Sequence, residues 1–423
     1  MNPGDSLAIP VAVVGGGAAG LMAAIAAAQH GAQVTLLEGS PRLGTKILMS
    51  GGTRCNVTHD FVSADDYYGG SRNVVARLLR EFSHEDTARF FGIDLGVALK
   101  REDTGKIFPA SDDAQTVLDA LLRRAGELGV VILTGRRVTA LTRLPDGFIL
   151  TTAAGEIEAR RVILTTGGLS FPGTGSDGTG YVLAQSLGHT LAPTTPALTP
   201  LLARAGGMHE RLRGVTLDVA LTVRVSGKKA WQGTGSFLFT HFGYSGPVVL
   251  DASRHVARAE GPVTVFASFL PAQSAEAFEA ELLAEAGRES RRSVLNALKA
   301  RLPESLAWEL VTFAAVPPDR ALGQLRRDER RALAHAVCEY ELPVTGVMGY
   351  KKAEVTAGGV PLSEVDPRTM ESRLAPGLHL AGEILDVDGK LGGYNFQFAW
   401  STGYLAGRSA AMGGLVKSST PAP

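Results

Sequence analysis

Apolar and polar positions follow different periods along the chain, and each change of period marks an element. Val11–Val14 is a continuous apolar run that predicts a short buried strand. Residues 18–30 (AAGLMAAIAAAQH) predict an alanine-rich helix that ends at Gly31. Residues 33–38 (QVTLLE) predict a second strand, which completes a βαβ unit of about thirty residues. From 113 to 128, Val117, Leu118, Leu121, Leu122, Ala125 and Leu128 recur at helical spacing, so an amphipathic helix is expected. Between 130 and 167 the pattern predicts three strands (VVIL, GFILTT and IEARRVILTT), with Pro145-Asp146-Gly147 as a turn.

The period shifts after Pro193. Residues 196–270 hold alternating stretches (LDVALTVRV, KAWQGTGSFLF, PVTVFASFL) that predict a β-rich unit. Residues 275–340 read as helices broken at Pro303 and Pro317-Pro318. Glycine-rich α/β character returns beyond 343. The expected organisation is therefore one α/β domain in two parts, 8–192 and 343–412. A β-rich insertion (193–272) and a helical unit (273–342) lie between the parts, and a frayed tail (413–423) follows.

Composition narrows the function classes. Lys and Arg number 42 and Asp and Glu 42, so no net charge favours nucleic acid or an anionic membrane as partner. The run Arg326–Arg331 contains Asp328 and Glu329 and reads as a solvated helix face. MNPGDSLAIP lacks the basic start of a signal peptide, and no long unbroken apolar stretch predicts a membrane helix. Cys55 and Cys338 form no CxxC pair. Dithiol chemistry and a Cys-rich metal site are not expected, and a reducing cytoplasm fits. The 51 glycines are aperiodic and must serve sharp turns and close backbone approaches.

The first of these is Gly15-Gly16-Gly17-Ala18-Ala19-Gly20. It fits GxGxxG, follows a predicted strand, opens a predicted helix, and is answered by Glu38 at the end of the next strand. Gly15 permits the tight turn, Gly17 lets backbone approach a pyrophosphate, and Gly20 allows close helix–strand packing. Glu38 would take ribose hydroxyls and would repel a 2′-phosphate, so NADP is not expected here. Further glycine-rich elements are Thr165-Thr166-Gly167-Gly168, the strand end His379–Glu383, and Gly392-Gly393-Tyr394-Asn395 before a helix carrying Phe396, Trp400 and Tyr404. A helix starting there would aim its positive end at whatever lies before it. No second GxGxxG with a following acidic strand is present, so no built-in NAD(P)H domain is expected. Such two-motif chains resemble FAD domains of the glutathione-reductase type, in which an acidic residue in the place of Glu383 holds the ribitol chain.

Three blocks carry a more specific resemblance: Lys46–Asn56 (KILMSGGTRCN), Phe239–Pro247 (FTHFGYSGP), and Gly382–Gly389 (GEILDVDG) followed by Gly392–Asn395. Together they resemble the aminoacetone-oxidase-like bacterial FAD-binding family of NAD(P)/FAD-dependent oxidoreductases, which includes bile-acid-reducing members. The resemblance spans about Val11 to Arg408. It implies a Rossmann-like FAD domain split by an inserted β unit and a helical lid. The family usually has a third glycine where this chain has Thr53, which predicts a differently shaped loop if that position requires positive φ.

The expected FAD contacts are Gly15, Gly17, Ala18, Ala19, Gly20, Glu38, Lys46, Ser50, Gly51, Gly52, Thr166, Gly167, Gly382, Glu383, Gly392, Gly393 and Asn395. His241 and Tyr394 are the candidate catalytic groups. The residue pattern also allows simpler roles: a loop histidine bonding its own backbone, and Asn395 capping its helix. Asp386 and Asp388 suit turn chemistry better than a metal, and no nucleophile–His–acid set can be placed. The resulting expectation is an FAD-dependent oxidoreductase that exchanges a hydride between flavin N5 and a small organic substrate. Electrons would come from NAD(P)H or pass to oxygen. The rival is an FAD-binding redox sensor or scaffold read by a protein partner; a flavin-dependent tRNA-modifying enzyme is disfavoured by the balanced charge.

Overall fold

The computed structural model describes residues 9–412; the predicted tail, 413–423, lies outside them. Strand β1 (Ile9–Val14), helix α1 (Ala18–Gln29) and β2 (Val34–Leu37) form the expected βαβ unit. Helix α2 (Thr45–Thr53) and α3 (Ala114–Glu127, capped by the Asp113 carboxylate) follow, then strands β3 (Val131–Leu133), β4 (Val138–Leu144), β5 (Gly147–Thr152) and β6 (Gly155–Leu164). These strands lie in the order β3-β2-β1-β6-β5-β4, and Leu378–Leu380 adds alongside β6. The sheet is parallel from β3 through β6 and on to Leu378–Leu380, and antiparallel through the hairpins β6-β5-β4. All of its parallel strands therefore end on one side, where a crevice for a ligand forms in open α/β sheets.

Strand β4 was not among the three strands predicted over 130–167. Its register slips between Val138 and Ala140, and this irregularity breaks the two-residue alternation that would have revealed it. Small residues govern the other side of the βαβ unit. The final helix, Tyr394–Met412, packs against α1 so closely that a side chain on Gly403 would start 2.5 Å from the Ala19 carbonyl oxygen, and one on Gly407 2.2 Å from that of Ala23. Alanines along one helix and glycines along the other make that approach possible.

The described residues divide into two compact units, 9–196 with 353–412, and 197–352. The second holds a seven-stranded sheet in the order Tyr340–Leu342, Val263–Ser268, Thr216–Val225, Lys228–Thr240, Gly243–Ser245, Leu201–Ala203, Val344–Val347. Val219, Leu221, Val223, Phe237, Phe239, Val265 and Ala267 share one core with apolar residues of Pro247–Ala257, Ala275–Arg288, Val294–Lys299, Glu304–Phe313 and Arg327–Cys338. The β-rich and helical segments expected as separate domains thus bury one common core. Residues 343–352, expected in the returning α/β part, belong to this unit because Val344–Val347 pairs with Leu201–Ala203. Pro247–Ala257, predicted only as part of a β-rich stretch, is a helix with proline at its start.

The loop expected to change shape at Thr53 keeps the left-handed backbone. Gly51, Gly52 and Thr53 have φ of +56°, +68° and +69°, and Cys55 has +60°. Thr53 is exposed, and its hydroxyl donates to the Gly52 carbonyl at 2.6 Å. A β-branched residue in this region costs about 1–2 kcal/mol, partly offset by glycine's larger loss of freedom on folding, about 0.4–1 kcal/mol. Thr53→Gly should therefore raise stability by about 1 kcal/mol and the melting midpoint by about 2 °C, as read by calorimetry. A lower midpoint would show that the Thr53 hydroxyl holds the loop.

Candidate cofactor and active site

The predicted cofactor segments leave the C-terminal ends of adjacent parallel strands. Gly15 follows β1, Glu38 follows β2, Thr165–Gly168 follows β6, and Ala381–Glu383 follows Leu378–Leu380. Backbone hydrogen bonds tie them edge to edge: Gly15 N–H donates to the Leu37 carbonyl (2.8 Å), Thr165 N–H to Val14 (2.9 Å), and Ala381 N–H to Leu164 (3.0 Å). Gly15, at φ +105°, leaves 2.7 Å between a would-be Cβ and the Thr165 carbonyl oxygen. Gly20 leaves only 1.8 Å to the Gly15 carbonyl oxygen, so this glycine sets the distance between helix and strand. Around Gly17 a Cβ would meet nothing within 4 Å. Helix α1 opens there without a side-chain cap, so its first N–H groups remain for an anion. Ala18 and Ala19 form that first turn, and Gly382 (φ +78°) passes over Ala19 at a distance that only a glycine permits.

Glu38 accepts from Gly16 N–H and Ser40 N–H, each at 2.7 Å, which fixes its carboxylate beside the glycine turn. A glycine-rich loop not singled out in the sequence, Gly173–Gly178, closes on this corner. Gly175 faces Ser40 and Glu38, and Asp177 pairs with Arg137. On the other side of the crevice, Lys46 bridges Ser170 Oγ and Glu383 Oε2, both at 2.6 Å. Glu383 Oε1 accepts from Ser170 Oγ (2.5 Å) and Thr356 N–H (3.0 Å). Lys46 and Glu383, separated by most of the chain, are thus one half-buried ion pair. Ser170 and Thr356, which fix it, carry no local signal in the sequence.

Ser50, Gly51 and Gly52 form the kink that ends α2, with Ser50 Oγ donating to the Ile47 carbonyl. The Thr166 hydroxyl is buried without a partner beside Gly180, and Gly167 (φ +72°) lies against Ser176. Gly392 and Gly393 (φ +129° and +95°) introduce the final helix. Asn395 does not cap it. Its carboxamide clamps the preceding turn, accepting from Gly389 N–H and donating to the Gly389 and Lys390 carbonyls. Tyr394 is 9 % exposed; its ring stacks on His59 at 4.9 Å and meets Tyr67 edge-on.

In the second unit, His241 and Phe242 are the two residues of a hairpin turn between Thr240 and Gly243, which pair with each other. Residues 236–247 are mostly this hairpin. His241 is exposed, and its ring makes no hydrogen bond to its own backbone. Tyr244 is fully buried among Phe237, Phe239 and His209; burial pushes its phenol far above the ordinary range. Burial likewise pushes the Cys55 thiol up to about 12 and that of Cys338 up to about 11. Both are free, and both are protonated at neutral pH.

A serine–histidine–carboxylate set, which could not be placed from sequence, does exist in the fold. His189 bonds Ser372 Oγ at 2.8 Å and Glu364 at 2.7 Å. Ser372 and His189 are each 4 % exposed, and Ser372 Oγ already accepts from Leu374 and Ala375 N–H. With its lone pairs engaged and no access, this serine is a clamp for the turn after Ser372 and not a nucleophile.

The profile of the HI0933-like protein Rossmann domain family matches residues 9–409. The chain belongs to this family. Over 406 residues it is 37% identical to the 3-dehydro-bile acid delta(4,6)-reductase of Clostridium scindens, covering 95% of this chain and 98% of the relative. Over 401 residues it is 33% identical to the ribosomal RNA dihydrouridine synthase of Escherichia coli, covering 93% and 95%. In fold it is similar to the apo Sdh1 complex of Mycobacterium smegmatis, at 18% identity and a TM-score of 0.50, over 97% of this chain and 69% of that one. This member of the HI0933-like family is an FAD-dependent oxidoreductase, and FAD is its cofactor. The crevice fits that group: Gly17 is open, the α1 N–H groups are uncapped, and the buried Thr166 hydroxyl and Asn56 Oδ1 have no partner. Among the described residues, no helix is long and apolar enough to cross a membrane.

Proposed function

We propose that this oxidoreductase saturates a carbon–carbon double bond conjugated to a carbonyl in a small organic molecule, with electrons from NAD(P)H. One observation carries the reading. Both relatives matched over nearly the whole chain have names that describe this chemistry: a delta(4,6) double-bond system extending a 3-oxo group, and the uracil double bond next to its carbonyl. Held by the glycine turn, Glu38 and the Lys46–Glu383 pair, FAD would supply the two-electron hydride chemistry for the conjugated bond. The chain's own part is to place the substrate, give a proton to the α carbon, and stabilise the negative charge that develops on the carbonyl oxygen. We assign the proton to His241 and substrate or flavin positioning to Tyr394, in a protein working in a reducing, cytoplasmic compartment.

Uracil in RNA presents the same conjugated system, which makes it the second reading. The charge balance, 42 basic against 42 acidic residues, favours the small molecule. Anaerobic stopped-flow mixing with NADH and with NADPH, followed by a 3-oxo-4,6-diene steroid acid, an rRNA fragment or oxygen, tests both. Reoxidation faster with the dienone than with oxygen supports the proposal. Turnover of RNA alone selects the second reading, and reoxidation by oxygen alone removes both.

A further inference from the structure

Asn56 is 7 % exposed, yet its Oδ1 has no hydrogen-bond partner. It points at the start of the final helix: Oδ1 lies 2.9 Å from where a side chain on Gly393 would begin, beside the Thr58 carbonyl at 2.6 Å. The adjacent Gly392 faces Lys106 Cε and His59 Cδ2, each at 3.6 Å from its would-be Cβ. Lys106 reaches this point because Lys106–Pro109 pairs with Thr58–His59, and it makes no ion pair among the described residues. The His59 ring, stacked on Tyr394, walls the same spot; both of its nitrogens face oxygens, Phe61 and Asp60 on one side and Thr104 on the other. A buried amide oxygen without a partner, the Lys106 side chain and the positive end of a 19-residue helix are thus gathered around Gly392 and Gly393, where only glycine lets the Gly393 backbone pass the Thr58 carbonyl.

We propose that Asn56 and Lys106 receive the pyrimidine edge of the flavin, and that the Lys106 ammonium stabilises the charge this edge gains on reduction. Asn56 supplies the directional hydrogen bond to the ring's amide-like edge and fixes its orientation. Lys106 acts as a point charge whose interaction grows when the ring becomes anionic, so it favours reduced over oxidised FAD. Neither residue exchanges a proton with the substrate. The inference rests on the reading above that the flavin is reduced during turnover. It is measured without organic substrate, so its failure is separable from failure of the enone reading.

The test uses the FAD-loaded full chain. Lys106→Met and Lys106→Gln should weaken the binding of reduced FAD about tenfold more than that of oxidised FAD. Each should lower the two-electron midpoint potential by about 30 mV, a tenfold loss of preference for the reduced form. Both should also weaken the sulfite adduct of the flavin about tenfold, and Lys106→Arg should restore both readouts. Asn56→Asp, which sets a carboxylate against the same edge, should shift both in the same direction as Lys106→Met. A potential and sulfite affinity unchanged in both Lys106→Met and Lys106→Gln would overturn the proposal. So would an equal loss of affinity for oxidised and reduced FAD in those variants, because a charge that reads the reduced ring must discriminate between the two forms.

Discussion

Gly20→Ala should yield a protein that cannot hold FAD, with occupancy below a tenth of wild type after purification and reconstitution. The added Cβ would lie 1.8 Å from the Gly15 carbonyl oxygen and 2.7 Å from Thr165 Oγ1. The first obstacle is backbone in the glycine turn, so no rotamer relieves it, and α1 must shift by more than 1 Å. That shift carries the uncapped N–H groups away from the position that suits a pyrophosphate, and it opens the packing against the final helix at Gly403. Gly17→Ala is the control that separates fold from ligand. Gly17 has φ −82° and open space around its Cβ, so the protein without FAD should melt within about 1 °C of wild type. Its FAD affinity should still fall tenfold or more, because the methyl group occupies the space a phosphate needs. Full FAD occupancy in Gly20→Ala would show that the helix start does not contribute to the cofactor site. Wild-type affinity in Gly17→Ala would place the pyrophosphate elsewhere.

The contrast between these glycines shows what a sequence can disclose. Gly15, Gly17 and Gly20 are legible because each serves a local geometry whose spacing repeats wherever a strand turns into a phosphate-binding helix. Glu38 and Glu383 are legible because each follows a short, mostly apolar strand, Val34–Leu37 and Leu378–Leu380. Lys46 with Glu383, and Asn56 with Lys106, have no such signature. Each pair is assembled by strand pairing between distant segments, Leu378–Leu380 on β6 in one case and Thr58–His59 on Lys106–Pro109 in the other. The burial of Tyr244 is not legible for a related reason. Whether it faces solvent or core depends on the register after the turn at His241-Phe242, where Tyr244 pairs with Phe239 and Leu201 and so points inward. A one-residue difference in that turn would have reversed it.

His241→Ala should keep FAD bound with a near-normal absorption spectrum while slowing substrate turnover by about 10²-fold or more, the usual loss when a positioned acid or base is removed. His241 occupies an exposed two-residue turn, so the substitution leaves the buried neighbours Phe239 and Tyr244 in place and should not alter the melting midpoint. It lies in the 197–352 unit, whereas Gly15, Glu38, Lys46 and Glu383 all lie in the other, so a clean loss of turnover would separate proton delivery from cofactor binding. Rapid mixing locates the effect. Flavin reduction by NAD(P)H needs no proton on the organic substrate and should keep its rate. Reoxidation by the conjugated carbonyl compound should carry the whole loss. Equal slowing of both half-reactions would mean that His241 shapes the unit rather than supplies the proton. Unchanged turnover would return the role to a group nearer the final helix, where Tyr394 is the first to replace with phenylalanine.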